Sequence, residues 1–227
     1  MLRALSAPAA EALHPWLEPV TVKPDQVVHR IGDPVEHVYF VESGLLSRLA
    51  MAEDGRSVGV GVVGCEGVAG ATSALSRHAS YHQVAGLVHA ETLRMEAGRF
   101  AEAVQGSREL RGLMDAYADA LVTSSDLMVT CFAFHPLAAR FSTTLLNACD
   151  AGGGENVMAT QELLASLFAV QRTSVTSLAT SMERQGLIRT GRGVIEVRDR
   201  AGLERLSCGC YARQAQLWSE LWDRKKT

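Results

Sequence analysis

No stretch of the 227-residue chain approaches the roughly 18 consecutive uncharged apolar residues that a membrane helix requires. The opening run MLRALSAPAAEALHPWLEP places Glu11, His14 and prolines where a secretory signal needs an unbroken apolar core, so the expected compartment is the cytoplasm, with no membrane partner. An excess of charge of one sign is also missing. The 22 Lys+Arg against 25 Asp+Glu leave a net charge of -3, and any attraction to nucleic acid must therefore come from a local patch. No C-x-x-C occurs. The five cysteines (Cys65, Cys131, Cys149, Cys208, Cys210) are odd in number and scattered, which suits reduced thiols better than a disulfide framework. Cys208-Gly-Cys210 has no partner ligands beside it in the sequence, and neither a metal nor a cofactor is expected.

What remains is an ordinary globular composition, 47% apolar and 21% charged, long enough for two domains. From Val20 to about Met95 short β-type runs (QVVHRIGD, EHVYFVESG, LLSRLAMAEDG, RSVGVGVV, HQVAGLVH, ETLRM) alternate with turn residues, the pattern of an all-β roll, sandwich or barrel. No helix-length segment lies between them. The run GVGVVGCEGVAG contains G-x-G-x-x-G at Gly59, Gly61 and Gly64, the dinucleotide fingerprint. That fingerprint needs a helix opening at its third glycine, whereas Gly67 and Gly70 follow here, each costing about 1 kcal/mol in a helix relative to alanine. A strand and turn with closely approaching backbone fits better. No coupled acid, base and nucleophile accompanies the glycines, and no enzymatic activity is expected.

From Ser107, a plausible N-cap, the spacing of three and four at Leu110, Leu113, Met114, Tyr117, Leu121, Leu127, Met128 and Cys131 predicts a helix over 108–134, stopped by Pro136. It would run roughly 40 Å, longer than one small domain covers. Leu113, Tyr117, Leu121 and Met128 are the expected seam with the same helix of a second copy. A second helix over about 137–148 ends at the glycine-rich break Ala151-Gly-Gly-Gly154.

The segment QELLASLFAVQRTSVTSLAT (161–180), preceded by Thr160 as N-cap, suits two short helices crossing at a tight turn, with Ala165 and Ala169 small enough for close contact. The exposed face of the second helix would carry Gln171, Arg172, Thr173, Ser174, Thr176 and Ser177 and no acidic residue. Arg172 can donate two hydrogen bonds to guanine, and Gln171 can read adenine. The next segment, GLIRTGRGVIEV (186–197), reads as a hairpin wing whose Arg189 and Arg192 face phosphates. Between Thr160 and Arg213 eight basic residues stand against five acidic ones, so the positive charge lies with the motif.

The order of these parts, with HPLAARFSTTLL, then TQELLASLFAVQRTSVTSLATSMERQGLI and RGVIEVRDRAGLERLSCGCY, resembles the Crp/Fnr family of bacterial transcription regulators, most closely from His135 to Tyr211. The resemblance implies an α+β chain in three parts: a β-roll effector domain of double-stranded β-helix or jelly-roll type over 1–106, a dimerisation helix over 107–135, and a winged helix-turn-helix DNA-binding domain over 136–227. It implies a homodimer reading an inverted-repeat operator in double-stranded DNA, with RNA polymerase and a small-molecule effector as further partners. Arg172 falls on the arginine that members commonly use for base contact. Ser177 stands where the cyclic-AMP receptor has another DNA-reading arginine, so that receptor's target sequence is not carried over.

The same resemblance places the effector pocket at Gly67, Val68, Ala69, Gly70, Ser80 and Tyr81. Cyclic-nucleotide-binding members need a glutamate for the ribose and an arginine with a hydroxyl partner for the phosphate. Val68 occupies the first position here, and Ser80 and Tyr81 the others. A buried phosphate without a cation is costly, so cyclic AMP is not the expected ligand, while Arg77 and His78 lie near enough for another anion. The iron-sulfur branch needs an N-terminal cysteine cluster, which this chain lacks. The competing functions are a protein-binding winged domain and a dinucleotide enzyme.

Overall fold

The computed structural model describes residues 1–2, 5–152 and 154–223. Gly153 of the expected glycine-rich break and residues 224–227 of the expected C-terminal domain lie outside them. After a short helix α1 (Ala7–Leu13), eight strands build the N-terminal unit: β1 (Glu18–Val22), β2 (Val27–His29), β3 (His37–Ser43), β4 (Leu46–Met51), β5 (Ser57–Val63), β6 (Val68–Ala69), β7 (Gln83–Gly86) and β8 (Ala90–Glu96). They form two antiparallel four-stranded sheets, β1-β8-β3-β6 and β2-β7-β4-β5. Val22, Val41, Leu46, Val63, Val84 and Ala90 fill the space between them, as alternation along each strand requires. One expectation fails: the six-residue helix α2 (Ala71–Ser76) interrupts the strands. Glycine's φ of +83° at Gly70 allows the turn that starts it.

The glycine-rich run begins in strand β5 and continues through a turn into β6. Strand β5 pairs with β4 with a bulge, Gly61 opposite Arg48 and Gly59 opposite Leu49. A Cβ on Gly59 would lie 2.5 Å from Leu167 Cδ1 and 2.9 Å from the Leu167 carbonyl, so this glycine admits a helix of the C-terminal unit against the roll. A Cβ on Gly67 would lie 2.6 Å from the Tyr117 hydroxyl. Here the backbone must leave room for a side chain of the long helix.

Helix α3 (Ala97–Gly106) leads into α4 (Arg108–Phe134), capped by Ser107, whose hydroxyl accepts from the Leu110 amide. The helix forms over the span its periodicity predicts, but its apolar face turns inward. Leu113, Tyr117 and Leu121 are buried within their own chain, in a cluster with Phe40, Val68, Phe100 and Leu221. Met128 is half-buried against the core of the C-terminal unit. The expected seam is therefore already occupied. Its occupants are the roll and the C-terminal helix α9 (Cys210–Asp223), which lies along α4 and joins it through Gln214 Nε2 donating to Ser124 Oγ at 3.1 Å, both residues buried. The apolar residues that α4 leaves exposed are Val122, Val129 and Phe134.

Beyond His135 and Pro136 come α5 (Leu137–Gly152), β9 (Asn156–Val157), α6 (Gln161–Phe168), α7 (Arg172–Arg184), the hairpin β10 (Ile188–Gly191) and β11 (Val194–Val197), α8 (Arg200–Leu206) and α9. The core of this unit (Phe141, Leu145, Leu163, Leu167, Val175, Ile195) continues without a break into Leu45, Leu49, Leu87 and Val88 of the roll. The two units thus share one apolar core.

Tyr117 joins long helix and roll by a reciprocal pair of bonds: its hydroxyl accepts from the Val68 amide at 3.0 Å and donates to the Val68 carbonyl at 3.2 Å. Tyr117→Phe leaves both buried backbone groups unpaired, a cost of about 1–3 kcal/mol. Calorimetric unfolding should show a melting temperature lower by several degrees for a chain of this size. An unchanged midpoint would show that these bonds contribute nothing net.

Candidate DNA interface and effector chamber

Thr160 caps α6 by accepting from the Leu163 amide at 3.1 Å. The helix stops at Ala169, whose φ of +52° lies in the left-handed region. Ala169 is thus the exposed turn residue and not a crossing contact, while Ala165 is buried at the crossing as expected. After this turn Val175, Ala179 and Met182 bury one face of α7. Gln171, Arg172, Thr173, Ser174, Thr176 and Ser177 are all exposed around its N-terminal end. An exposed helix start bearing donors and no acid suits a phosphate-lined groove.

Two contacts hold this face in place. Thr176 Oγ1 donates to Gln161 Oε1 at 2.7 Å. Arg172 Nε lies 3.9 Å from Glu162 Oε2 with both side chains largely exposed, a pair weak enough for a phosphate or base to replace. The wing is pinned to α7 by Glu183, whose carboxylate accepts from the amide and hydroxyl of Thr190 at 2.9 and 3.0 Å. Those bonds hold its pKa below the usual carboxylate value. Arg189 and Arg192 are exposed on the hairpin, where Gly193 at φ +73° makes the turn. The charge patch is smaller than the sequence count suggests, because Arg200 pairs with Asp150, an acid outside the counted segment, while Arg198 and Arg205 pair with Glu196 and Asp199 within it. Gln171 and Arg172 also line an open cleft of about 890 Å³ that the α6–α7 turn shares with the β4–β5 hairpin, at Met51, Gly55 and Arg56.

In the roll, the residues expected to form the effector pocket do not converge on one chamber. Val68 is buried on the outer side, beneath α3 and α4, while Ala69 belongs to the cluster between the sheets. Gly67 and Gly70 serve close approach, to Tyr117 and to the His29 ring respectively. The Ser80 hydroxyl is spent on its own turn, donating to the His82 carbonyl at 2.7 Å, and Tyr81 is 71% exposed. Arg77 and His78 line an outer cleft with Ser73, Gly98 and Glu102.

The cation inside the roll is instead Arg48, a residue absent from the sequence-based expectations. It lies two residues from Leu46 on β4 and so shares the inward face. Its Nη1 is buried without a hydrogen-bond partner among the described residues, and a Cβ on Gly61 would lie 3.4 Å from it. Burial pushes the guanidinium pKa down. Burial and the charge of Arg48 together lower His82 to about 4. Alternation on β4 could have revealed Arg48, since it puts a charged residue on the inward face of the roll. Cys208 and Cys210, which have no partner ligands beside them in the sequence, gain Cys131 and His135 as neighbours in the fold.

No helix among the described residues is long and apolar enough to cross a membrane. Residues 19–107 match the cyclic nucleotide-binding domain model, and residues 139–206 match the Crp-like helix-turn-helix domain model. A sequence search of curated proteins finds no match. Among solved structures, a transcriptional regulator of the Crp/Fnr family from Eubacterium rectale is 16% identical, covering 90% of this chain and 95% of that one, with a TM-score of 0.67. FixK2 from Bradyrhizobium japonicum is 15% identical over 85% and 98% of the two chains, with a TM-score of 0.68. The c-di-GMP responsive global regulator CLP of Xanthomonas campestris is 17% identical over 86% and 100%, with a TM-score of 0.63. A nucleotide-binding-type roll, a long helix and a Crp-like helix-turn-helix in this order identify the chain as a member of the Crp/Fnr family of transcription regulators.

Proposed function

We propose that the protein binds an inverted-repeat operator as a homodimer, reads bases with α7 and is modulated by a small anion held in the roll. The exposed, acid-free N-terminal end of α7 carries this reading. A two-fold dimer sets its α7 helices in successive major grooves, so half-sites should lie about 34–36 Å apart. Gln171, Arg172, Thr173, Ser174, Thr176 and Ser177 face the groove, and Arg189 and Arg192 face the backbone. RNA polymerase is a further partner of the DNA-bound form.

Arg172 sits where a guanine edge can accept two hydrogen bonds, a contact worth about 1–3 kcal/mol of discrimination. Selection of bound sequences should return an inverted repeat for the wild type. Arg172→Ala should relax one base pair in each half-site, whereas Arg192→Ala should weaken all sequences alike and lower the salt slope by about one. An Arg172→Ala protein that selects an unchanged motif would remove α7 from the reading role.

The dimer reading moves to the outer face of α4. Val122 and Val129 are exposed and seven residues apart, the repeat that keeps two helices in register. Val122→Glu would bury a carboxylate at such a seam and should convert a dimer to monomer in sedimentation equilibrium at micromolar concentration. Leu121 is buried in its own chain, so substitution there should affect folding rather than association. A wild type that sediments as a monomer refutes the seam.

Arg48 supports the anion reading, because its Nη1 is buried without a partner among the described residues, a cost that a bound anion offsets. Cyclic AMP is not the favoured ligand, since Val68 and Ser80 offer nothing to ribose or phosphate. Arg48→Met should stabilise the ligand-free protein by about 1–3 kcal/mol and abolish any rise in melting temperature caused by inorganic phosphate or dicarboxylates. A rise that persists in Arg48→Met places the anion elsewhere.

A further inference from the structure

Four ligand-type side chains meet where the long helix ends. Cys131 lies in the last turn of α4 and His135 follows its final residue, four positions on. Cys208 and Cys210 flank Gly209 at the α8–α9 junction. The Sγ atoms of Cys131 and Cys208 are 3.5 Å apart, and Sγ of Cys210 is 3.6 Å from Nδ1 of His135. All four ligand atoms lie within 4.8 Å of one another. The three cysteines are buried and His135 is half-buried.

We propose that Cys131, His135, Cys208 and Cys210 bind one thiophilic divalent cation, Zn²⁺ being the ion whose chemistry fits, and that the bound ion clamps α9 to α4. Bonds of about 2.3 Å to sulfur and about 2.0–2.1 Å to nitrogen put tetrahedral ligands roughly 3.5–3.8 Å apart. The two short separations have this value before any adjustment. Three thiolates with one imidazole are a donor set that selects zinc over hard cations. Clusters of several irons spread their terminal sulfurs farther than this constellation does. A Cys131–Cys208 disulfide would use two of the four groups and leave Cys210 and His135 without a role.

The site is closed: four protein ligands complete the tetrahedron, so its role is structural or regulatory rather than catalytic. Thr143 Oγ1, from α5, lies 3.4 Å from Cys208 Sγ and supplies the outer contact that such sites use to orient a ligand. His135, one helical turn beyond Cys131, immediately precedes Pro136, where the chain leaves the long helix for the DNA-binding unit. The ion would therefore join α4, α5 and α9 at the pivot between the two units. This inference does not depend on the DNA-binding reading.

The full-length protein, reduced and stripped with chelator, should take up one Zn²⁺ per chain in competition with a chromophoric chelator. Co²⁺ in its place should give the ligand-field bands of a tetrahedral ion with thiolate-to-metal charge transfer. Cys208→Ser and His135→Ala should each lower zinc affinity more than about a hundredfold, beyond the 10–100-fold cost of losing an outer partner. Cys149→Ser, a buried thiol outside the cluster, should leave affinity unchanged. Residue-resolved alkylation of the wild type, in urea enough to open the buried thiols of the metal-free protein, serves if a variant fails to fold: zinc should protect Cys131, Cys208 and Cys210 while exposed Cys65 reacts equally with and without it. Absence of stoichiometric zinc, a cobalt spectrum without thiolate charge transfer, equal loss in Cys149→Ser, or alkylation of the three thiols unaffected by zinc would each overturn the proposal.

Discussion

The packing of one helix between two partners governs the rest of this structure. Helix α4 buries Leu113, Tyr117 and Leu121 under the roll and α9, and the Tyr117 hydroxyl closes the contact on the Val68 backbone. A long amphipathic helix cannot stand in water with its apolar face bare, and a chain that supplies both covers has no need of a second copy to hide it. That leaves the opposite face, with Val122 and Val129, as the surface open to association. The same packing fixes where the C-terminal unit sits, because only His135 and Pro136 separate α5 from the end of α4.

Gly59 and Gly67 explain why the glycine-rich run is where it is. Each stands where a side chain from another element meets the roll: Leu167 of α6 at Gly59 and Tyr117 of α4 at Gly67. The run that imitates a nucleotide fingerprint is thus a record of two docking contacts. One joins the roll to the helix-turn-helix and the other joins it to the long helix. Arg48 stands opposite Gly61 on the neighbouring strand.

Most of the fold was legible because its signals are local. The period of three and four over 108–134, Thr160 and Ser107 as caps, and the glycine turn of the wing are properties of short segments, and each forms as read. The exposure of six polar residues at the start of α7, around the buried Val175 and Ala179, was legible too, since it follows from helical spacing alone. What failed depends on contacts far apart in the chain. Periodicity marks an apolar face without saying what covers it, so Leu113, Tyr117 and Leu121 read as a seam until α9, nearly a hundred residues later, is seen to cover them. Alignment to a family pattern placed Ser80 and Tyr81 in a pocket, but one hydroxyl is used by its own turn and the other side chain faces water.

The cysteines show the same limit most clearly. Cys208 and Cys210 alone are a weak motif, and the partners that change their meaning lie 73 or more residues away, at positions 131 and 135. A C-x-C pair and a C-x-x-x-H pair carry little information apart and much together, because only the tertiary fold can bring four ligand atoms within 4.8 Å. Their position decides what such a cluster can do. A contact at the tip of a loop would stabilise only that loop, whereas one where α4, α5 and α9 meet ties together elements that pack on both the roll and the C-terminal unit. An ion held there would add its binding free energy to that packing.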